Sequence, residues 1–268
     1  MNGALKSRFE SAQWFAAMAR LVKGGEADAA AAALADAIDV AVRHEGTCLL
    51  AFHRDAPPEV FHHTLDPAGR RHYLDRYVAG PYLLDPLYQL AVGDEKPGVC
   101  RFRDQSPDRF RASEYYRQYC ERTHLKDEMD FLVDVSPRST LVLVVGRRTR
   151  RFSKLELERL RMLEPLVHAA MRTVWERSAA SGRRQEAGGS VHQRLTRCFE
   201  NFGEGLLTER ERQITQLLLR GHSTKSVARE LGIAPGTVMV HKRNLFAKLG
   251  ISSQYELFSR FIEELSGD

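Results

Sequence analysis

The stretch GTVMVHKRNLFAKLG, residues 236–250, combines an apolar periodicity with a cluster of positive charge. Val238, Leu245 and Leu249 recur at helical spacing, which predicts a helix with one buried face. The residues between them are mostly basic: His241, Lys242, Arg243 and Lys248. The stretch therefore predicts an amphipathic helix with a cationic side, and its neighbours decide what that side is for.

The residues before this stretch predict two more helices. In LLTERERQITQLLLRGHSTKSVARELGIAP (206–235), Thr208 and Glu211 have the spacing of a capping box, and Ser223 is placed to cap a second, short helix. A tight turn through Gly232 then leads into the basic helix, and a fourth helix is predicted from Ser252 or Ser253 to Leu265. Two short helices joined by a glycine-containing turn, the second one basic, are typical of a helix-turn-helix.

The charge of this region agrees with DNA binding. Residues 221–250 contain five lysines and arginines and one acidic residue, a net charge of +4. The second helix of a helix-turn-helix fits the major groove of DNA, where basic side chains meet phosphates and base edges. The chain as a whole carries +5 with a pI near 9.1, a weaker indication of the same kind.

Residues 206–250 resemble the DNA-binding domain of LuxR-type transcriptional regulators, with matches at many fixed positions of the family pattern. The resemblance implies a four-helix domain whose third helix reads DNA and whose fourth often serves dimerisation. It implies base contacts by Met239, Val240 and Arg243. It implies phosphate contacts by five further residues: Lys225, Thr237, His241, Lys242 and Lys248.

Two positions depart from the family pattern. Met239 stands where lysine or arginine is common, so it offers only an apolar contact to a base. Ala234 stands where a serine cap is usual, and alanine has no side-chain oxygen to accept a helix N–H. A standard operator of the family is therefore not expected.

The N-terminal part predicts an α+β domain. Residues 26–45 form an alanine-rich amphipathic pattern, and further helices are expected over 68–92 with a break near Pro81, after Ser106–Pro107, and over 153–177. Five strands are expected at 46–53, 59–65, 98–102, 129–135 and 140–146, with a hairpin turn at 136–139. Mainly antiparallel strands flanked by helices favour a sensor-like domain, and this part resembles the GAF-like regions of one-component LuxR-type regulators.

The helix expected at 153–177 has an apolar face that includes Val167 and Val174. Two interpretations stay open. The face packs on the sheet of its own domain, or it forms a two-helix seam in a homodimer.

Composition divides the chain into three parts. SAASGRRQEAGGS (178–190) is small, polar and glycine-rich, and is typical of a linker. We therefore expect an input domain at 1–177, a linker with a short connecting helix at 178–203, and a helix-turn-helix domain at 204–268. Four scattered cysteines, no signal peptide and no long apolar run predict a cytoplasmic protein.

The input domain lacks the residue patterns of several signal classes. It has no acidic cluster of a phosphoryl-accepting receiver before residue 100 and no phosphate-binding GxxxxGK[ST] loop. No pattern predicts a catalytic, metal or cofactor site. Tyr73, Tyr77 and Asp85–Pro86 approximate the ligand-binding spacing of acyl-homoserine-lactone receptors, with one residue missing before the aspartate.

Together these features predict a DNA-binding transcriptional regulator of one-component type that is not an enzyme. We expect it to form a homodimer on double-stranded DNA and to sense a small-molecule or protein signal of unknown identity. The alternatives are an acyl-homoserine-lactone receptor with Tyr73, Tyr77 and Asp85 at its ligand, a constitutive DNA-binding protein, and a protein-interaction adaptor.

Overall fold

The computed structural model describes residues 8–23, 25–180 and 189–266, which build an α+β domain followed by a helical domain. The strands are β1 (Gly46–His53), β2 (Glu59–His63), β3 (Val99–Arg101), β4 (Asp127–Ser136) and β5 (Ser139–Arg147). The helices of the first domain are α1 (Ala12–Lys23), α2 (Ala27–Ala41), α3 (Pro86–Val92), α4 (Lys154–Met162) and α5 (Glu164–Ala180). The helices that follow are α6 (Gly189–Asn201), α7 (Glu209–Leu219), α8 (Thr224–Glu230), α9 (Pro235–Leu249) and α10 (Gln254–Ser266).

The five strands form one sheet in the order β2-β1-β5-β4-β3, and every neighbouring pair is antiparallel. All five predicted strands are confirmed. The hairpin predicted at 136–139 joins β4 to β5, and Ser136 pairs with Ser139 at its end. Because side chains alternate along a strand, each strand sends residues to two different faces.

One face of the sheet is covered by α2, α4 and α5. Alternate strand residues such as Phe131 and Leu143 pack there against Leu34 and Ile38 of the alanine-rich α2. The small alanines let α2 lie close to the sheet, and its predicted amphipathic pattern is confirmed.

The helix expected at 153–177 is two helices. Ser153 caps α4 in a capping box with Glu156, and the chain breaks at Leu163 before Pro165 enters the first turn of α5. Val167 and Val174 are both 0% exposed and belong to the core beneath the sheet. The interpretation of this face as a dimer seam is therefore wrong, because the face is already buried by its own domain.

The opposite face of the sheet meets a region with little regular helix. Residues 67–92 form successive helical turns: Pro67–Gly69, Arg70–Asp75, Arg76–Val78, Pro81–Leu84 and α3. The break near Pro81 is confirmed, where Gly80 has φ +157°. The helix expected after Ser106–Pro107 occurs as short helical segments and not as one regular α-helix. They are Phe110–Ala112, Tyr116–Cys120 and Glu121–Thr123, and they direct aromatic side chains inward.

The helical domain packs on this second face. Leu195 and Phe199 of α6 and Phe261 of α10 share one apolar cluster with Tyr82 and Phe52 of the input domain. Residues 181–188 of the predicted linker lie outside the described residues, whereas 189–201 form α6. None of the described helices has the length and apolarity needed to cross a bilayer.

A buried polar contact also joins the two domains. The Tyr82 hydroxyl lies 2.7 Å from Nδ1 of His192 on α6, and Nε2 of His192 lies 3.2 Å from the Arg54 carbonyl oxygen. The carbonyl oxygen only accepts, so Nε2 carries the proton and Nδ1 accepts from Tyr82. Burial lowers the pKa of His192, which keeps the neutral ring that this arrangement needs.

The core position of α5 leads to a stability prediction. Val174→Asp places a carboxylate in an apolar cluster, and we expect a loss of unfolding free energy of about 3 kcal/mol or more. Chemical denaturation of the full chain measures this loss. Met162→Asp is the matched control, because Met162 ends α4 with 62% of its surface exposed and should change stability little. If the Val174→Asp chain kept its stability but lost self-association, the result would support the interpretation of this face as a dimer seam.

Candidate DNA-binding surface and sensor cavity

The helix-turn-helix is formed by α8 and α9, which pack against α7. Val227 and Ala228 of α8 and Val238 and Leu245 of α9 are buried between the helices. The turn is closed by the Ile233 N–H, which donates to the Ala228 carbonyl oxygen at 2.9 Å, with Gly232 at φ +63°. A left-handed residue after a helix is a usual place for glycine, so the turn predicted from Gly232 is confirmed.

The caps of these helices agree with the sequence. Thr208 and Glu211 form the expected capping box on α7, and Ser223 accepts from the Ser226 N–H at the start of α8. Ala234 precedes α9 without a side-chain cap. The start of α9 is instead set by Pro235, whose fixed φ suits the first helical turn.

The predicted base-contacting residues lie together on the outer face of α9. Met239 is 64% exposed and Val240 is 48% exposed. Arg243 is also exposed, one helical turn further along. Met239 and Val240 are adjacent and share the outer face of α9 with Arg243, so this face offers both apolar and cationic contacts.

The predicted phosphate-contacting residues are exposed, half-buried or, in the case of Lys248, engaged in an ion pair. Lys225 and Thr237 are exposed, while His241 and Lys242 are half-buried. Lys242 lies over the ring of Phe246, with 5.3 Å between Nζ and the ring centre. Burial, and then the charge of Arg109 from the input domain, lower the pKa of Lys242.

Lys248 is engaged within the domain. Its ammonium group lies 2.6 Å from a carboxylate oxygen of Glu211, whose side chain is only 4% exposed. Although burial raises the pKa of Glu211, the hydrogen bonds from Lys248 and Thr208 bring it below its ordinary value. Lys248 therefore holds α9 to the start of α7.

A cavity of about 560 Å³ opens between the second face of the sheet and the irregular segments that cover it. Its size lies within the range of small-molecule sites. The three residues predicted to bind a ligand, Tyr73, Tyr77 and Asp85, all line it. Aromatic residues from the segment after β3 complete much of the wall: Phe102, Phe110, Tyr115, Tyr116 and Tyr119.

Asp85 is held in place at the start of α3. It accepts hydrogen bonds from the Tyr77 hydroxyl and the Leu87 N–H, both at 2.8 Å. Burial raises the pKa of Asp85 to about 6, in spite of these two hydrogen bonds, which lower it. The carboxyl therefore caps α3 and faces the cavity at the same time.

Sequence reasoning missed Glu128, which lines the same cavity from β4. Burial and then the charge of Asp85 raise its pKa to about 8. The available signal was the alternation of acidic and apolar residues in EMDFLVDV (128–135). That alternation shows that one strand face is polar, but not that a cavity lies over it.

The loop that lines the cavity also contacts the helix-turn-helix. Asp108 accepts hydrogen bonds from the Ser223 N–H at 2.9 Å and from the Ser223 hydroxyl. The Arg109 N–H donates to the Gly221 carbonyl oxygen at 3.2 Å. Gly221 has φ +91°, and a Cβ there would lie 2.9 Å from Cα of Phe110, so only glycine allows this approach.

Comparison with known proteins places this geometry in a family. The model described as bacterial regulatory proteins, luxR family, matches residues 205–261. An HTH-type transcriptional regulator encoded in the exeN 3' region of Aeromonas salmonicida is 33% identical over 186 residues, which cover 68% of this chain and 94% of that protein. The transcriptional regulatory protein UhpA of Escherichia coli (strain K12) is 47% identical over 57 residues, 21% of this chain and 29% of that protein.

A solved structure resembles the input domain. The LBD domain of VqsR from Pseudomonas aeruginosa has a TM-score of 0.55 and 24% sequence identity, and covers 62% of this chain and 98% of that one. This likeness concerns the fold. With the matched helix-turn-helix and a regulator related over most of its length, the chain belongs to the luxR family of bacterial regulatory proteins and is a DNA-binding transcriptional regulator.

Proposed function

We propose that this chain is a one-component regulator in which a small molecule in the cavity controls how the helix-turn-helix is presented to DNA. The observation that carries the proposal is the loop at 102–113. Its residues Phe102, Asp108 and Phe110 line the cavity, and Asp108 also bonds to Ser223 of the helix-turn-helix. A ligand that moves this loop therefore changes a contact with the DNA-binding domain.

DNA recognition is assigned to the outer face of α9. Met239, Val240 and Arg243 are proposed to meet base edges, since they are the exposed residues of that face. Lys225, Thr237, His241 and Lys242 are proposed to contact phosphates. Lys248, the fifth residue of the predicted set, has a smaller part because it is paired with Glu211.

The docked arrangement opposes DNA binding in this proposal. Asp108 places a carboxylate on Ser223 at the N-terminus of α8, in whose first turn Lys225 lies. In a helix-turn-helix complex the first helix crosses the DNA backbone, so phosphates and Asp108 compete for the same end of the helix. Burial raises the pKa of Asp108, but the hydrogen bonds from Ser223 hold it below its ordinary value, so the carboxylate is charged near neutral pH.

A homodimer completes the proposed regulator in the cytoplasm, where its DNA target lies. One helix-turn-helix contacts few bases, and specific sites of such proteins usually hold two half-sites about one helical turn apart. The buried face of α5 does not supply the contact. Apolar side chains that the described chain leaves exposed include Phe15 and Val22 on α1.

Arg243 tests base reading. Arg243→Ala should weaken binding to the preferred site by about 1–3 kcal/mol and relax the preference at one base position, because a guanidinium forms a bidentate contact with guanine. Selection of sites from random DNA with both proteins measures the preference. An unchanged sequence logo for Arg243→Ala would contradict the assignment.

Substitution of Lys225 and of Lys248 distinguishes a role in phosphate binding from a role in the stability of the domain. Lys225→Ala should weaken binding to all sequences and lower the salt dependence of the affinity by about one ion, because one phosphate contact is lost. Lys248→Ala should instead lower unfolding free energy by about 1 kcal/mol, since Glu211 loses its partner. Salt titrations of DNA binding and thermal denaturation on each variant measure both effects. The assignment fails if Lys248→Ala lowers the salt dependence and Lys225→Ala does not.

Asp108 tests the coupling between domains. Asp108→Ala removes an interdomain hydrogen-bond acceptor, and we expect it to raise the DNA affinity of the ligand-free full chain by about fivefold, or about 1 kcal/mol. Fluorescence anisotropy with a selected DNA site measures the change.

Asp104→Ala is the matched control for Asp108→Ala, because it removes one negative charge from the same loop without touching the helix-turn-helix. Asp104 is exposed and forms an ion pair with its neighbour Arg103. Equal gains in the two variants would show a general charge effect. A lower affinity in Asp108→Ala would show that the docked arrangement favours DNA binding.

A further inference from the structure

Three carboxyl groups gather on the cavity side of the sheet. Glu128 and Asp130 lie two residues apart on β4, so both point to this face, paired with Gly146 and Val144 of β5. Glu128 and Asp85 line the cavity itself. Asp130 lies in the floor beside them, 0% exposed. The groups interact electrostatically, since the charge of Asp85 raises the pKa of both Glu128 and Asp130.

No lysine or arginine of the described residues is paired directly with these carboxyl groups. Within residues 8–23, 25–180 and 189–266, neither a lysine nor an arginine forms an ion pair with Asp85, Glu128 or Asp130. The buried Asp130 carboxyl group shares a hydrogen bond with Glu128, the other carboxyl group of the strand, and neither of its oxygens accepts from a basic side chain among the described residues. Asp127 shows the contrast, because Arg101 Nε donates to its carboxylate at 2.7 Å. Buried carboxylates are usually paired with a basic side chain in this manner.

The rest of the cavity wall favours positive charge. Seven aromatic side chains line the same cavity: Tyr73, Tyr77, Phe102, Phe110, Tyr115, Tyr116 and Tyr119. Aromatic faces carry negative partial charge and attract ammonium groups, most strongly where water is excluded. The apolar part of a ligand also packs on these rings, so the wall suits a molecule with both an ammonium group and an apolar part.

The described cavity wall also includes four arginines. Arg103, Arg111, Arg148 and Arg151 line it, and all four are exposed to water. Mobile ions screen such charges over about 8 to 10 Å, whereas charges inside the cavity are screened much less. The interior therefore sets which charge binds.

We propose that the cavity binds an organic cation, an amine whose ammonium group lies beside Glu128 and Asp85 and whose apolar body packs among the aromatic rings. This inference rests on the proposed function, because it names the ligand class of the same cavity. A neutral lactone or amide gives one hydrogen bond to a carboxyl oxygen but leaves the charge of the cluster unbalanced. An ammonium group supplies both three donors and the missing charge.

The charge balance gives the site a pH signature. Burial and then the charge of Asp85 raise the pKa of Glu128 to about 8, so the empty site holds this proton at neutral pH. The acidic groups that interact with Glu128 are Asp85, Asp127, Asp130, Cys48, Cys100, Tyr116 and Cys120, and the basic groups that line the same cavity are the exposed Arg103, Arg111, Arg148 and Arg151. A cation displaces the proton, so its affinity rises with pH up to about 8. A neutral carbonyl ligand that accepts this proton shows the opposite trend.

Binding to the full chain is tested with three compounds of one shape. Phenethylamine, phenethyl alcohol and hydrocinnamate carry a cationic, a neutral and an anionic group on the same phenylethyl body. By calorimetry and thermal shift we expect only the amine to bind, with at least about tenfold higher affinity at pH 8 than at pH 6, as one linked proton allows. Equal binding of the alcohol, or failure of the amine at millimolar concentration, overturns the inference.

Glu128→Gln tests the residue, with Glu121→Gln as the matched control. Glu121 is an exposed glutamate of the segment before β4. We expect Glu128→Gln to lose amine affinity at least about tenfold at pH 8 and to lose the pH dependence, because glutamine does not ionise. Without ligand at pH 8, where the wild-type carboxyl group is partly charged, the variant should melt higher. Unchanged amine affinity, or a lower melting temperature without ligand, shows that the carboxylate serves the fold.

A fourth probe separates this inference from the proposed function. If hexanoyl-homoserine lactone binds and alters DNA affinity while the amine is silent, the cation assignment fails and small-molecule control stands. If the amine binds as expected but leaves the DNA affinity unchanged, the cation site stands and the proposed coupling fails.

Discussion

The rest of the structure depends on the strict alternation of side chains along β1, β4 and β5, which gives one sheet two faces of different chemistry. Phe131 and its neighbours on one face are sealed beneath α2 and α5, and that core holds the input domain together. Glu128 and Asp130 point to the other face, where the cavity and the helical domain both lie. A single sheet therefore provides a rigid base both for the cavity and for the helical domain that packs beside it.

The contact between the domains combines a large apolar part with a small polar part. Phe199 and Phe261 share a continuous apolar cluster with Tyr82, so the docking has a stable centre. Asp108 and Ser223 meet at its edge, on a loop with little regular structure. A ligand shifts such an equilibrium only if it binds the two arrangements with different affinity. The loop at 102–113 lines the cavity and contacts the helix-turn-helix, so it is the element through which the proposed function requires such a difference to act.

The helical domain was predictable from sequence because its signals are local. Thr208, Ser223 and Gly232 lie within a few residues of the helix ends they define, and each cap or turn is where its pattern placed it. The strands were also predictable from alternation. The cavity was not, since its wall joins Tyr73 to Tyr119 and Glu128 across segments that share no local pattern.

Two particular failures have the same physical origin. The apolar face of α5 has the periodicity of a dimer seam, and Val167 shows that a face buried by its own sheet has that periodicity too. Likewise, the acids of β4 alternate as solvent-facing residues do, although Asp130 is fully buried. Periodicity gives the direction of a side chain and leaves its environment to the tertiary structure.

The buried acids of β4 also bear on how stability and regulation are related. A charged group kept from water without a partner lowers the stability of the empty protein, so fold stability alone favours an apolar residue at Glu128 and Asp130. Protonation reduces that cost in the empty cavity, as the raised pKa of Glu128 shows. A ligand that supplies the missing positive charge then stabilises the occupied domain more than the empty one. The free-energy cost of the buried carboxyl groups thus becomes a difference in stability between the empty and the occupied domain. A regulator needs such a difference, and these groups lie on the sheet face that contacts the DNA-binding domain.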